Sequence, residues 1–421
     1  MNNQEVNELS QMENCIQALF NCPNQELIRF SNGIKEKYLT NVNLISYPIQ
    51  AFISTHNESF QFWLMDLLKD VIQANYQRIP EDQKQIIRDL ISNQLKNNLV
   101  NLFEKNYMKN RLVLMTITWL KFDFPEHFPN FFNDILQMFN SNIPNEMKIL
   151  YLKLLMDLMT TFDDEMIKFR HTYTPLEMNR STLIKDKLRI DFIPKLFDIM
   201  SSVIQNNSNF DTELVVIVLK VLSELIDWNP LENIGTVLNY ILSDLIKNKT
   251  YEKNCLIILN AIIKKGMDIH NKMKILIGIN VSKILENVVG YFMNNPNQNL
   301  GFEGQMVFTN LAEIVNELGM VSLNGFGYTV SSKKDKTKFL QNSGQDISTM
   351  QTNDVELLKN STDIFVMVLY IADIILSHKC YQAALSFVDF LVNTVYYLKS
   401  ILNQSTTAQT TNTNASSNSS S

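Results

Sequence analysis

One feature limits what this chain can fold into more than any other: apolar residues recur at helical spacing along most of its length. Over residues 211–226, Leu214, Val218, Leu222 and Leu225 fall three and four residues apart, which places them on one face of an α-helix. Val215, Leu219 and Ile226 widen that face, Lys220, Ser223 and Glu224 occupy the opposite side, and Asp211 is positioned as an N-cap. The segment is rich in β-branched residues, which favours a strand, but its length and unbroken period favour a helix. Phe60, Leu64, Leu67, Leu68 and Val71 repeat the pattern behind Thr55 and Glu58, which have capping-box spacing. Ile79-Pro80-Glu81-Asp82 starts another helix, with Pro and acidic residues at its positive end. Leu112, Met115 and Trp119, then Phe128, Phe131, Phe132, Ile135 and Leu136, then Met147, Leu150, Leu154, Leu155 and Leu158 form the next stripes.

The spacing gives about eight helix pairs of roughly 40–50 residues each, the period of HEAT-type hairpins. One pair cannot bury its own apolar face, so neighbouring pairs stack and bury it jointly. The expected fold is therefore all-α, a HEAT-type α-solenoid. Glycine and proline are scarce, at 11 and 10 in 421 residues, which supports helices. Two segments interrupt the rhythm. Residues 323–353 are polar, contain glycine and are expected to form an exposed loop. Residues 404–421 are of low complexity and expected to be disordered. A terminal helix pair over 354–403 has an apolar face without a polar cap, so the chain is expected to be the N-terminal part of a longer array or a truncated gene product.

The chain carries 37 Lys plus Arg against 43 Asp plus Glu, a net charge of −6. No global field attracts nucleic acid, so any RNA contact needs a local basic surface. The cysteines Cys15, Cys22, Cys255 and Cys380 show no CxxC or metal-ligand spacing, and are expected to be buried thiols in a reducing compartment. The polar N-terminus lacks the features of a signal peptide, and no apolar run approaches the roughly 18 residues needed to cross a membrane.

Motifs for catalysis are absent: there is no GxxxxGK[ST], HExxH or GxSxG. No enzyme activity, metal or cofactor is expected. Asp163-Asp164-Glu165 is expected to be a solvated loop, His127 a packed or capping histidine, and Trp63, Trp119 and Trp228 core residues.

Two short segments carry more information than the stripes. Arg180-Ser-Thr-Leu-Ile-Lys-Asp186 is followed by Pro194 and Leu196, and Lys265-Gly-Met-Asp268 by Lys272-Met-Lys274. The first resembles the RNTLIKD stretch of the exportin-T family, with Ser181 in place of Asn. The second resembles that family's KGMD…KMK. Residues 109–120 and 124–136 are similar to a broader pattern shared by many exportins. Asp227-Trp-Asn-Pro230 departs from the family's order, and 323–353 does not align. The resemblance runs well over about residues 10–320 and weakly over 354–402, and nothing matches the family's C-terminal half.

Exportin-T proteins are nuclear export receptors for tRNA within the importin-β superfamily. The resemblance implies Ran-GTP binding by residues 1–160, further repeats over 161–322, and passage through the pore on FG-repeat proteins. It also implies shuttling between nucleus and cytoplasm, with no membrane insertion and no homo-oligomer. The implied tRNA-contacting residues are Arg180, Lys185, Lys187, Arg189, Lys264, Lys265, Lys272 and Lys274. The implied Ran-contacting residues are Asp66, Lys69, Asp70, Lys109 and Arg111. Backbone-directed RNA recognition needs little more than positioned Lys and Arg. Each basic cluster also has a plain structural account: core residues, a solvated face, and a helix end at Gly266 flanked by lysines. The other readings are an exportin with different cargo and a HEAT-repeat scaffold outside transport.

Overall fold

The computed structural model describes residues 3–168, 173–293, 302–343, 347–377, 385, 390–397 and 399. The described residues are helical or in short connections, with no strand among them, which bears out the all-α solenoid class. The chain divides into two compact units, Met1–Ile199 and Met200–Ser421.

In unit 1, α1 (Asn3–Asn21) packs with α2 (Gln25–Thr40), and α3 (Ser46–Ser54) with α4 (Glu58–Asn75). Next, α5 (Glu81–Asn97) and α6 (Leu99–Glu104) accompany α7 (Asn106–Asp123), and α8 (Phe131–Asn140) packs with α9 (Asn145–Asp163). The second helices α2, α4, α7 and α9 lie side by side. Between α4 and α7 the offset is 45 residues: Phe62 meets Tyr107 at a 5.8 Å ring separation, and Arg111 meets Asp66 at 2.7 Å. The two helices therefore run parallel, as stacked repeats do. Leu64, Leu67, Val71, Leu112, Met115, Trp119, Leu154 and Leu158 are essentially sealed from water. Each large aliphatic side chain buried this way contributes about 1.5–3 kcal/mol. The chain continues through a π-helical turn at Asp164–Lys168, then α10 (Pro175–Asp191) and α11 (Ile193–Gln205). A full capping box at Thr174 and Glu177, with Pro175 as the first helical residue, starts α10. The expected boundary at residue 160 falls inside α9.

Unit 2 contains α12 (Thr212–Ile226), α13 (Gly235–Ser243), α14 (Lys249–Lys264), α15 (Ile269–Gly278), α16 (Val281–Met293), α17 (Phe302–Ser343) and α18 (Ile347–Ser377). The Asp211 cap is present, its carboxylate accepting from Leu214 N at 2.6 Å. Helices α12, α14 and α17 lie side by side. Between α14 and α17 the offset holds at 53 residues, seen at Lys253–Met306, Asn260–Glu313 and Lys264–Glu317.

Several expectations need correction. Residues 323–343 are the end of α17 rather than a loop, and helix resumes at Ile347 in α18. The apolar content of the segment decides this. Leu323 is buried, and Phe326 meets Phe365 of α18 at 5.6 Å. Gly325 lets the two helices close up, because a Cβ there would collide with Ser361. The low-complexity residues 404–421 lie outside the described residues. Asn57, not Thr55, caps α4, accepting from Phe60 N at 3.1 Å, while Thr55 donates to Glu13. Asp163 ends α9, is 3% exposed and pairs with Lys168, while Asp164 and Glu165 open the π-turn, so the three are not a solvated loop. His127 is exposed rather than packed. Among the cysteines described, Cys255 is buried, Cys15 half-buried and Cys22 exposed. The three tryptophans are core residues as expected. No helix among the described residues is long and apolar enough to cross a membrane.

A buried polar junction ties the C-terminal end of α7 to α4 and α5. Asp123, fully enclosed, accepts from Arg88 Nε at 2.7 Å and Nη2 at 2.8 Å, from the Tyr76 hydroxyl at 2.5 Å, and from Trp119 Nε1 at 3.0 Å. Arg88 also reaches Glu81 and Gln85. Burial alone would raise the Asp123 carboxyl, but the hydrogen bonds from Arg88 and Tyr76 outweigh it and hold it below the usual carboxylate range. A depressed folded-state value stabilises the fold above the unfolded carboxylate pKa, about 4, and that contribution fades as pH falls. Asp123→Asn leaves the buried guanidinium with only the exposed Glu81 as counter-charge, so we expect a loss of about 3 kcal/mol. Urea unfolding followed by tryptophan fluorescence, repeated between pH 7 and about pH 4, should show a lower midpoint and a weaker acid dependence in the variant.

Candidate functional site

The segment resembling RNTLIKD forms the middle of α10, and its side chains mostly hold helices together. Arg180 donates to the carbonyls of Lys121 at 2.9 Å and Phe122 at 2.8 Å, and also to that of Phe124, all at the C-terminal end of α7. It pairs as well with Glu126, at 2.7 Å from Nη2. The Arg180 hydrogen bonds hold the Glu126 carboxyl below its usual range. Helix C-terminal carbonyls lack intrahelical partners and carry the negative end of the dipole, so a guanidinium satisfies both needs. Ser181 donates to Met166 O at 2.7 Å, closing the π-turn. Ile184 and Leu188 are core, and Leu183 is 46% exposed. The remaining cations lie at the surface: Lys187 pairs with Asp191 at 2.8 Å, Arg189 with Asp186 at 2.9 Å, and Lys185 is half-buried.

The second segment repeats this use of cations. Lys265 follows α14 as its C-cap and donates to Ile226 O and Asp227 O, both at 2.8 Å, at the end of α12. Asp268 caps α15 by accepting from His270 N at 3.0 Å and Asn271 N at 3.2 Å. Lys272 donates to Ile263 O at 2.7 Å, within the last turn of α14, and burial lowers the pKa of its ammonium. Gly266 sits one residue past the C-cap, as expected. It does not adopt a left-handed φ, and a Cβ there would meet nothing within 4 Å. Lys264 faces Glu317 at 3.8 Å, and Lys274 is exposed. Of the eight basic candidates, then, Arg180, Lys265 and Lys272 cap helix ends, whereas Lys187, Lys264 and Lys274 reach solvent.

The five candidates in unit 1 gather along the row of second helices. Asp66 of α4 sits between Lys35 of α2 and Arg111 of α7, at 2.5 and 2.7 Å. Lys69 bridges Asp66 at 3.9 Å and Asp70 at 3.0 Å. Lys109 pairs with Asp157 of α9 at 2.6 Å and lies over the Phe103 ring. Burial would raise the Asp66 carboxyl, but Lys35 and the neighbouring cations lower it. The result is one ion-pair face crossing four helices, with Phe20 and Tyr107 exposed on either side of Phe62. Lys35 and Asp157 belong to it although sequence spacing gave no signal for either.

An open cavity of about 400 Å³ lies beside Arg180, lined by Phe122, Met166, Tyr173, Leu176 and Glu177 among others. Burial pushes the Tyr173 phenol up to about 12, so it does not ionise near neutrality. Burial likewise pushes the Cys255 thiol up to about 12, far from a nucleophilic thiolate. Among the described residues no group of His, Cys, Asp and Glu is arranged to hold a metal ion.

Comparison with known proteins agrees with this architecture. Residues 105–259, from α7 into α14, match the family described as "Exportin 1-like protein". The chain is 24% identical to Exportin-T of Homo sapiens over 310 residues, covering 73% of this chain and 30% of that protein. It is 26% identical to Exportin-T of Danio rerio over 266 residues, covering 62% and 26%. Exportin-T of Arabidopsis thaliana is 22% identical over 249 residues, covering 55% and 24%. The chain spans about a third or less of the length of these relatives. It is an all-α repeat protein with an exportin-like segment. Its resemblance to exportin-T, first visible in two motifs, extends over most of its residues.

The capping role of Arg180 has a direct consequence. Arg180→Lys keeps the charge but loses the planar fork that reaches several carbonyls at once. Arg180→Lys and Arg180→Ala should therefore both destabilise the protein, by about 1.5–3 kcal/mol. Lys187→Gln, which breaks only an exposed pair, should cost less than about 1 kcal/mol. Denaturant midpoints of the three variants measure the difference.

Proposed function

We propose that this chain acts in nuclear export as a receptor, or as the receptor part that binds Ran-GTP and tRNA together. The observation carrying this reading is the exportin-T likeness over 310 residues, 73% of the chain and longer than either unit. The ion-pair face of Asp66, Lys69, Asp70, Lys109 and Arg111 supplies the Ran-GTP surface. Lys109 is buried, while Asp66, Lys69, Asp70 and Arg111 are partly exposed, mixed in sign and held in place by neighbouring helices, which suits recognition by electrostatic complementarity. Lys187, Lys264 and Lys274, with Lys185 and Arg189, are the cations placed to meet phosphates. Recognition of the RNA backbone needs no base contacts. The chain works by binding, without catalysis, and moves between nucleus and cytoplasm through contacts with FG-repeat proteins. Cooperation arises because Ran-GTP and tRNA each favour the same arrangement of repeats.

The test mixes the purified chain with labelled tRNA and Ran carrying either GTP or GDP. We expect binding of the GTP form and tighter tRNA binding in its presence. If neither Ran form binds, the transport reading fails; if Ran-GTP binds and tRNA does not, tRNA contact by this chain fails. Replacing Lys187 and Lys274 with Gln should weaken tRNA binding and lower the salt slope by about one for each phosphate no longer neutralised. Arg180→Lys, corrected for stability, should leave that slope unchanged. Asp70→Lys should weaken Ran-GTP binding at least about tenfold, a change of about 1.4 kcal/mol.

A further inference from the structure

The cavity beside Arg180, within unit 1, has a volume of about 400 Å³, in the range of ligand sites. Its lining is largely apolar. Tyr76 and Phe122 stack at 4.9 Å, and Met166 and Leu176 join them. Leu176 is 75% exposed, which puts a large aliphatic side chain in water at the mouth of the cavity. Tyr173 lines the cavity too, and its hydroxyl oxygen is shielded from water with no hydrogen-bond partner among the described residues. Burial keeps this phenol protonated near neutrality, so it is a donor with nothing to donate to. Native proteins leave few enclosed polar groups in that state, because each is destabilising until an acceptor arrives.

The charges around the cavity indicate what fits. Three lining residues are charged, and each is already paired. Lys121 donates to Glu165 at 2.8 Å, and Arg180 to three carbonyls and Glu126. Glu177 accepts from the Thr174 amide at 2.8 Å and the Thr174 hydroxyl at 2.7 Å. A phosphate would find no free cation here and would face Glu165 and Glu177. A charged side chain would lose its hydration without gaining a counter-charge. An uncharged aromatic ring suits the Tyr76–Phe122 pair and the Met166 thioether, both of which favour ring contacts. Gln73 and Gln77 line the same cavity, are exposed and make no hydrogen bond among the described residues. Each amide offers donors and an acceptor, the complement of a peptide unit. An extended segment has peptide units free to pair on both sides of its side chain, whereas those of a helix are already paired.

We propose that this cavity is a peptide-docking site, which takes an aromatic side chain from an extended, uncharged segment of a partner protein. The ring packs beside Tyr76, Phe122, Met166 and Leu176, a backbone carbonyl of the segment accepts from Tyr173, and Gln73 and Gln77 hold the flanking peptide units. Sequence spacing gave no sign of the site, because its lining comes from residues 73–77, 121–122, 166 and 173–180, which only helix stacking brings together.

Titration of the full chain with acetyl-Ala-Phe-Ala-amide, followed by saturation-transfer NMR, tests the proposal. The sample contains neither Ran nor tRNA, so the outcome is independent of the transport reading. We expect saturable binding that is lost when Ala or Glu replaces Phe in the peptide, and that uridine 5′-monophosphate does not displace. Leu176→Glu should weaken binding at least about tenfold, while an acid in the first turn of α10 keeps that helix. Tyr173→Phe should weaken it about three- to tenfold without lowering the urea midpoint of the free protein, a combination that a merely structural hydroxyl would not give. If circular dichroism shows that Leu176→Glu has lost helix, Tyr173→Phe decides. A wild-type chain that does not bind the Phe peptide at up to about 10 mM overturns the proposal. So do equal binding of the Glu peptide, displacement by the nucleotide, and variants that bind as the wild type does.

Discussion

The C-terminal turn of α7 is the point on which unit 1 depends. A helix ends with carbonyls that nothing within it can satisfy, and at α7 these ends are inside the protein rather than in water. Two cations meet at this turn, one on the buried side chain of Asp123 and one on the free carbonyls. Arg88 of α5 neutralises Asp123, whose oxygens are taken up by Arg88, Tyr76 and Trp119. Arg180 of α10 covers the carbonyls of Lys121, Phe122 and Phe124. Apolar stripes make the helices stack but leave their rotation and register loose, because the hydrophobic effect has no direction. Hydrogen bonds with fixed donors and acceptors set the register. Polar junctions such as Asp123 therefore locate helices that leucines alone would only hold together.

The same solution appears in unit 2, where Lys265 closes α12 and Lys272 closes α14. Both segments that marked the family resemblance are thus largely helix-end clasps. This changes the electrostatics available to a cargo. A cation that caps a buried helix end is committed, since removing it exposes carbonyls to an apolar setting at a cost of about 1–3 kcal/mol each. A cation in an exposed pair such as Lys187–Asp191 contributes at most about 1 kcal/mol to the fold and can exchange its carboxylate for a phosphate. With a net charge of −6, the chain has no diffuse attraction for RNA to add. Any phosphate contact then falls to the few cations that are both exposed and loosely paired.

Much of the fold was legible in the sequence because periodicity is a local property. The stripes of α4, α7, α9 and α12, the cap at Asp211 and the three core tryptophans needed only spacing and residue type. Errors arose where the deciding partner was remote. Arg180 looked like a phosphate ligand because its acceptors lie 54–59 residues earlier and are mostly backbone atoms, which have no residue signature. Lys35 and Asp157 escaped notice for the same reason, their partners being in the next helix of the stack. Residues 323–343 looked like a loop because Gly325 and the lysines suggested solvent. In the structure Gly325 serves a helix–helix contact with Ser361, and close approach is invisible until both helices are placed.

Repeat arrays are often treated as one-dimensional, each repeat contacting only its neighbours. Unit 1 departs from that picture. The clasp from Arg180 links α10 to α7 although α8 and α9 intervene in the chain, so the repeat built on α7 and the helix α10 cannot separate independently. Asp123 binds α5 and the end of α4 into the same junction. A perturbation at any one member is felt by four helices, which makes this stretch more cooperative than nearest-neighbour stacking alone would allow. The ion pairs Lys35–Asp66 and Arg111–Asp66 span the same stretch but are partly exposed and individually weak, whereas Lys109, paired with Asp157, is buried. The two sets therefore divide the work. Buried clasps fix the spacing of the helices, and the exposed pairs set on that frame can rearrange when a charged partner arrives without loosening what positions them.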